Sequence, residues 1–372
     1  MSEQFNNKDY GEYFSAVEKS LERKSKPDAT EKQPVAEKTR RPEKRFYGRV
    51  IRLRPWVYVT AVLLVAAIIL LTAFPKKSKA KDEPPKTSEA TENVVSDVEK
   101  TEKINLFANR TKDTAPIGSD IVSGNIIVIN CDTNKVVAER EATARCYPAS
   151  TTKIMTVLTA VDYITDYNKT FTFSFAITDP LYIAEATVAG FSDGEAVNMT
   201  DLLYGAILPS GADATVGLAL SIAGSEEKFV KLMNKKADEL GLKNTHFVNT
   251  SGLFDKNHYT TAEDMAVIIR AAMQNELCLK ILSTYQYTTA ATPQHPDGIL
   301  LTSTLFSHMY GTEPEGADIL GGKTGFVNES GYCIASFGNS DSGTEYVCVT
   351  LGGNGLWPTV YDQFHLYEQF AK

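Results

Sequence analysis

Ser150-Thr151-Thr152-Lys153 and Lys323-Thr324-Gly325 are two short stretches of this 372-residue chain whose residue types and spacing can do chemistry. On a helix, residues i and i+3 share a face, so Lys153 can reach the hydroxyl of Ser150. A serine hydroxyl is a poor nucleophile until a base takes its proton. Lysine can be that base only when its pKa falls, through burial, a second nearby cation or the positive end of a helix. Together the two stretches describe acyl transfer in which an amine, not an imidazole, activates a serine.

The elements that must position them are legible. Pro148 precedes the first motif, and Ile154, Val157, Leu158, Val161 and Ile164 follow at three- and four-residue spacing. This predicts an amphipathic helix from Ser150 to about Asp166, with Ser150 and Lys153 in its first turn. In Gly321-Gly322-Lys323-Thr324-Gly325-Phe326 the glycines let a backbone approach a ligand closely, while Lys323 and Thr324 offer a cation and a hydroxyl, a combination suited to a substrate carboxylate. Alone, a Ser-x-x-Lys is usually an ordinary helix start and a Lys-Thr-Gly usually a turn. Their order, separation and surroundings carry the argument.

Those surroundings run well beyond two triplets. Tyr147-Pro148-Ala149-Ser150-Thr151-Thr152-Lys153-Ile154-Met155-Thr156 and Leu208-Pro209-Ser210-Gly211-Ala212-Asp213-Ala214 precede Asn249-Thr250-Ser251-Gly252-Leu253 and Asn257-His258-Tyr259-Thr260-Thr261-Ala262. Gly321 to Phe326, followed by Ser330-Gly331-Tyr332-Cys333, closes the series. Over residues 113 to 372 the chain resembles the serine D-alanyl-D-alanine carboxypeptidases among the low-molecular-mass penicillin-binding proteins. The resemblance implies Ser150 as nucleophile, Lys153 as its base and Ser210 as a proton relay toward the leaving amine. It implies that Lys323 and Thr324, with Gly325 and Phe326 beside them, bind the substrate's terminal carboxylate, and that the N–H groups of Ser150 and Phe326 form the oxyanion hole. It further implies peptidoglycan stem peptides as substrates, β-lactams as covalent inhibitors, cell-wall trimming as the consequence, and no cofactor. Without its neighbours, Ser210 reads as a turn residue after Pro209.

One position departs from the family pattern. The second motif there reads Ser-x-Asn, and this chain has Ala212 where the amide is expected. An alanine side chain neither donates nor accepts, so the site is expected to work with altered detail. Asp213, next in sequence, is the residue placed to substitute in part.

Residues 56–74 form an uncharged apolar run of 19 residues, close to the ~20 that span a bilayer, with Trp56 and Tyr58 at one end and Phe74 at the other. Residues 38–54 carry eight Lys/Arg against Glu43 alone. This flank predicts a single-pass anchor over 55–75, the N-terminus cytoplasmic and the large domain on the outer, cell-wall side. The competing reading is a cleaved signal peptide processed near Ser78-Lys79-Ala80, but the run is longer than the usual apolar region and begins late. Residues 1–54 read as a disordered basic tail, and residues 76–112, rich in Lys, Glu, Thr, Ser and Pro, as a solvated linker.

From residue 113 onward the expected domain carries 15 basic and 30 acidic residues, which argues against nucleic-acid binding. Asn125 to Asn130, a turn at Asp132-Thr133-Asn134, and Lys135 to Val137 read as a hairpin. Helices are expected over 200–208, from Ser225 to Leu240 ending at Gly241, and over 261–274 behind a Thr260-x-x-Glu263 capping box. Strands over 331–337 and 345–351 and a terminal helix over 360–371 follow. The fold class expected is α+β, an antiparallel sheet flanked by helices, in the penicillin-recognising manner that the resemblance implies. Five cysteines do not make a disulfide framework; Cys333 and Cys348 leave open a bridge across a hairpin, with separate buried thiols as the default. The five histidines show no metal-ligand spacing, and His258 reads as a structural residue holding a loop.

Two other function classes stay beside the carboxypeptidase. A serine β-lactamase shares both motifs, although none of Glu226, Glu227, Glu239 or Glu263 has the asparagine four residues later that class A enzymes use. A non-catalytic wall-binding protein is allowed by Ala212.

Overall fold

The central strands are apolar on both faces, and that pattern dictates a sheet covered on two sides. The computed structural model describes residues 105–309 and 314–372. In β2 (Asn125–Asn130), Ile127 and Ile129 point into a large helical lobe, while Ile126 and Val128 point to the opposite face. β10 (Glu345–Gly353) divides likewise, with Val347, Val349 and Leu351 on one side and Tyr346 and Cys348 on the other. With β1 (Ala115–Pro116), β3 (Lys135–Arg140), β8 (Ala317–Val327) and β9 (Gly331–Ser340), they form a six-stranded sheet in the order β1-β3-β2-β10-β9-β8.

The sheet is mixed, which corrects the antiparallel expectation: β1 runs parallel to β3, and the other neighbours are antiparallel. A two-residue Ala-Pro strand has no periodicity to read. Just ahead of it, Arg110 ties the chain to β3, gripping Glu139 through Nε (2.8 and 2.9 Å) and Nη2 (2.7 Å) and reaching Glu263 through Nη1 (2.6 Å). Leu106 is buried as well, so the folded part extends below residue 113 into the end of the expected linker.

Between β3 and β8 lies the helical lobe. A 3₁₀ turn, Ala149–Thr151, leads into α1 (Thr152–Tyr163); then come β4 (Thr170–Thr172), α2 (Phe175–Ile183), β5 (Ala196–Asn198) and α3 (Met199–Ile207). α4 (Ala212–Ala223), α5 (Glu226–Leu240), α6 (Ala262–Met273), α7 (Glu276–Leu282), β6 (Gln286–Thr288), β7 (Leu300–Thr302) and α8 (Thr304–Met309) complete it. The pairs β4/β5 and β6/β7 are separate two-stranded sheets. All of Thr152 to Ala160 is buried, because α1 is surrounded by α3, α4, α5 and α6. Helix α1 ends at Tyr163, three residues before the expected Asp166.

Local signals succeeded where a side chain closes the helix. Ser225 caps α5 by accepting from Lys228 N at 3.2 Å, and left-handed Gly241 ends it as expected. The cap of α6 is one residue later than expected: Thr261 accepts from Asp264 N at 3.0 Å. α9 (Leu356–Phe370) begins earlier than expected because Pro358 sits in its first turn, where proline is tolerated. Cys333 pairs in register with Gly325 and faces the helical lobe, whereas Cys348 pairs with Ser336 and faces α9. The two thiols are free, buried and on opposite faces of the sheet, which bears out the default of separate buried thiols and sets aside the cross-hairpin bridge.

The expectations for residues 1–54, 55–75 and 76–104 lie outside the described residues. Among the described residues no helix is long and apolar enough to cross a membrane.

α9 is locked to the segment just ahead of β2 by one buried carboxylate: Asp362 accepts from Val122 N (3.1 Å), Ser123 N (2.8 Å) and Ser123 Oγ (2.6 Å). Asp362→Ala leaves these donors unpaired and is expected to cost about 2–4 kcal/mol. Thermal denaturation checks it, and an unchanged Tm would show that the carboxylate does not hold the helix.

Candidate active site

Ser150 stands at the seam between the helical lobe and the sheet edge. Ala149 just before it is left-handed (φ 47°), and Thr151 closes the turn by donating from Oγ1 to Pro148 O at 2.6 Å. Ser150 therefore sits in a tight 3₁₀ turn ahead of α1 and not in the helix proper, but the i, i+3 geometry survives: Lys153 Nζ donates to Ser150 Oγ at 2.9 Å. The amine also donates to the carbonyl of Ser251 at 2.6 Å.

Lys153 is 2 % exposed. Burial pushes its amine down to about 7, opposed by the nearby negative charge of Asp213. A displacement of that size means that the site disfavours the charged form by about 5 kcal/mol relative to water. Lys323 is also buried, and burial followed by repulsion from Lys153 drives it well below the ordinary lysine value. Its Nζ donates to Thr324 O at 2.8 Å.

The third motif lies on β8, the edge strand, against the Ser150 turn. A Cβ at Gly325 would stand 2.7 Å from Ser150 N and 3.0 Å from Thr151 N, so only glycine lets strand and turn meet there. Gly321 and Gly322 have a different use from the one expected: a Cβ on either would strike protein atoms, Phe337 and Leu282 O for the first and Ala335 O for the second. They permit packing inside the protein.

A cleft of about 510 Å³ opens over Ser150, and Lys153, Ala212, Ser251, Phe254 and Phe326 are among its walls. Of the residues expected from sequence, Ser150, Lys153 and Phe326 line it; Ser210, Lys323, Thr324 and Gly325 do not. Ser210 is 6 % exposed and left-handed (φ 68°), and its hydroxyl has no hydrogen-bond partner among the described residues. A left-handed non-glycine residue costs on the order of 1–3 kcal/mol, strain that functional sites tend to store.

Asp213 does not replace the missing amide. Its carboxylate accepts from the N–H groups of Ala189 (2.7 Å), Gly190 (3.0 Å), Phe191 (3.4 Å) and Ala214 (2.8 Å). It is fully engaged in pinning the 189–191 loop to α4, and burial pushes its titration up against those four donors.

The segment 249–258 has functional contacts that spacing alone did not reveal. Asn249 Oδ1 accepts from Ser251 N (3.2 Å) and Gly252 N (2.7 Å), a turn that presents the Ser251 carbonyl to Lys153. His258 Nδ1 accepts from Val248 N at 3.2 Å, so the neutral ring carries its proton on Nε2 and donates to Thr152 Oγ1 at 2.8 Å. Burial, reinforced by His246, pushes His258 down to about 4, and it holds this loop on the first residue of α1. Thr304 was missed altogether: its hydroxyl is 2.6 Å from that of Thr324. No motif marks it, since only folding brings α8 beside β8.

Two outcomes follow from this geometry. With Lys153 as the base for Ser150, as the motifs lead one to expect, the acylation rate is expected to fall about tenfold per pH unit below about 7 and to level off above it. A pH profile of β-lactam acylation checks this; a profile flat from pH 5 to 9 would exclude Lys153 as the base. At Gly252 (φ 85°) a Cβ would fall 1.8 Å from Ala149 O, beside the nucleophile. Gly252→Ala is expected to lower acylation at least about tenfold with a loss of a few kcal/mol in stability, read by adduct formation and melting.

The model of the D-alanyl-D-alanine carboxypeptidase family matches residues 109–355. A curated relative, the D-alanyl-D-alanine carboxypeptidase DacF of Bacillus subtilis, is 35 % identical over 216 residues, which are 56 % of this chain and 52 % of the relative. DacA of Escherichia coli is 34 % identical over 175 residues, 44 % of this chain and 42 % of its own. The chain thus spans about half the length of these curated relatives. Among solved structures, a Streptomyces DD-transpeptidase is similar with a TM-score of 0.60 and 27 % identity, covering 68 % of this chain and 98 % of that one. A D-alanyl-D-alanine carboxypeptidase from Mycobacterium tuberculosis gives 0.58 and 29 %, covering 69 % and 94 %. With the motifs, the α+β fold and the match over 109–355 in agreement, the chain belongs to the D-alanyl-D-alanine carboxypeptidase family.

Proposed function

We propose that the protein is a serine D-Ala-D-Ala carboxypeptidase that removes the terminal D-alanine from peptidoglycan stem peptides through a Ser150 acyl-enzyme. The observation that carries this reading is the 2.9 Å contact between Ser150 Oγ and a buried Lys153 amine whose pKa lies at about 7. The neutral amine takes the hydroxyl proton as Oγ attacks the penultimate D-alanine carbonyl. Developing negative charge on the carbonyl oxygen is met by the N–H groups of Ser150 and Phe326, a reading supported by the close approach of Gly325, next to Phe326, to Ser150 N. The C–N bond then breaks, and the leaving D-alanine amine takes up a proton relayed by Ser210. Water cleaves the resulting ester, returning the proton to Ser150 and releasing the shortened peptide. Lys323 and Thr324 hold the terminal carboxylate. Among the described residues β8 is an edge strand with no strand beyond it, a geometry that suits pairing with an extended peptide.

The site is read as working at the outer face of a cell membrane. Residues 55–75 serve as the single anchor, 1–54 as the cytoplasmic basic tail and the segment after the anchor as a spacer, supported by the 19-residue apolar run and its basic flank. β-Lactams are its covalent inhibitors, the reaction needs no cofactor, and nucleic acid is not a partner.

A second reading has its own observation. Ala212 lines the cleft without a polar group, and Asp213 is committed elsewhere, which favours a wall-binding relative with little turnover. Intact mass of the purified full chain with a penicillin, beside a Ser150→Ala control, decides among the readings. A lasting adduct of one drug per chain, absent in the control, is expected. An adduct that disappears as drug is consumed would identify a β-lactamase, and a folded chain that never gains mass would leave the wall-binding reading in possession.

A further inference from the structure

Beside Lys323 and Thr324 lies a hydroxyl outside the family motifs, that of Thr304. Thr304, first residue of α8, lies with Oγ1 2.6 Å from Thr324 Oγ1 and 3.5 Å from Lys323 Nζ. Its backbone N donates to Leu208 O at 2.9 Å, and Leu208 leads into Pro209-Ser210. One residue thus joins the strand of Lys323 and Thr324 to the segment of Ser210.

We propose that Thr304 is a positioning residue that turns the Thr324 hydroxyl toward the terminal carboxylate of the substrate; this rests on the carboxypeptidase reading of the site. Each hydroxyl has one proton and two acceptor lone pairs, so in the Thr304–Thr324 pair only one can donate to the other. The Lys323 amine lies 3.5 Å from Thr304 Oγ1 and can donate to it, and in the proposed arrangement Thr304 accepts from Lys323 and spends its own proton on Thr324. The chain runs from Lys323 to Thr304 to Thr324, and the Thr324 proton is left over. A carboxylate accepts and never donates, so the leftover proton is what it needs. In the opposite order Thr324 would spend its proton on Thr304 and present lone pairs to an anion.

The test compares the full chain with Thr304→Val and Thr304→Ser variants on two peptides ending in D-Ala-D-Ala, one with a free terminal carboxylate and one amidated. The parent is expected to prefer the free acid. Thr304→Val is expected to lose about tenfold or more in kcat/KM on the acid, chiefly through KM, with little change on the amide, so that the preference collapses. Thr304→Ser, which keeps the hydroxyl, restores it. The proposal is overturned if Thr304→Val keeps the parent's preference, or if it loses both peptides equally, as a merely structural role would require. A parent chain that cleaves neither peptide overturns the carboxypeptidase reading and takes this proposal with it, a pattern distinct from the other two.

Discussion

A single buried amine sets the terms for the rest of the structure. Keeping a charged Lys153 out of water costs several kcal/mol, and the fold responds by favouring the neutral amine, the form the proposed chemistry needs. Burial requires walls on every side, which is why α1 is enclosed by α3, α4, α5 and α6 and reads as weakly amphipathic. It also requires hydrogen-bond partners, and the amine finds them in Ser150 Oγ and the Ser251 carbonyl. That carbonyl is in turn held by the Asn249 turn and by left-handed Gly252 packed on Ala149.

The second constraint is the close approach of two backbones. The Ser150 turn belongs to the helical lobe, while β8 belongs to the sheet, and Gly325 lets them meet at Ser150 N. The sheet itself is rigid, with Ile127, Ile129, Val347 and Val349 packed against one lobe and Asp362 pinning α9 to the other face. A strand fixed by its neighbours and a turn fixed by a helix hold Ser150 and the Lys323-Thr324 segment in a defined relation, as the proposed chemistry requires. The strain visible at Ala149 and Ser210 is carried by this surrounding packing.

Ala212 shows how much a site residue depends on its neighbours. In sequence, Asp213 is the adjacent polar group and a natural substitute for a missing amide. In the fold, the helix turn between the two positions sends the carboxylate toward the 189–191 loop, where four N–H groups hold it. Its remaining influence on the cleft is through charge, raising the Lys153 pKa against the pull of burial. The polar contacts nearby are made by groups from distant parts of the chain: the Ser251 carbonyl, in the cleft wall, accepts from Lys153, and Thr304 pairs with Thr324.

What the sequence determined by itself is whatever depends on near neighbours. The i, i+3 relation of Ser150 and Lys153, the Ser225 cap and Gly241 stop of α5, the 125–137 hairpin and the α+β class are local in origin, because capping, turn preference and hydrophobic period act within a few residues. The family motifs likewise named Ser210, Lys323 and Thr324 without any knowledge of where they lie. Tertiary structure decided the rest: the parallel β1, too short to have a period; the opposite faces of Cys333 and Cys348; the commitment of Asp213; and the partnership of Thr304 with Thr324. Each depends on which residue from a distant segment arrives alongside, and the depressed pKa of Lys153 exists only once those segments have excluded water from it.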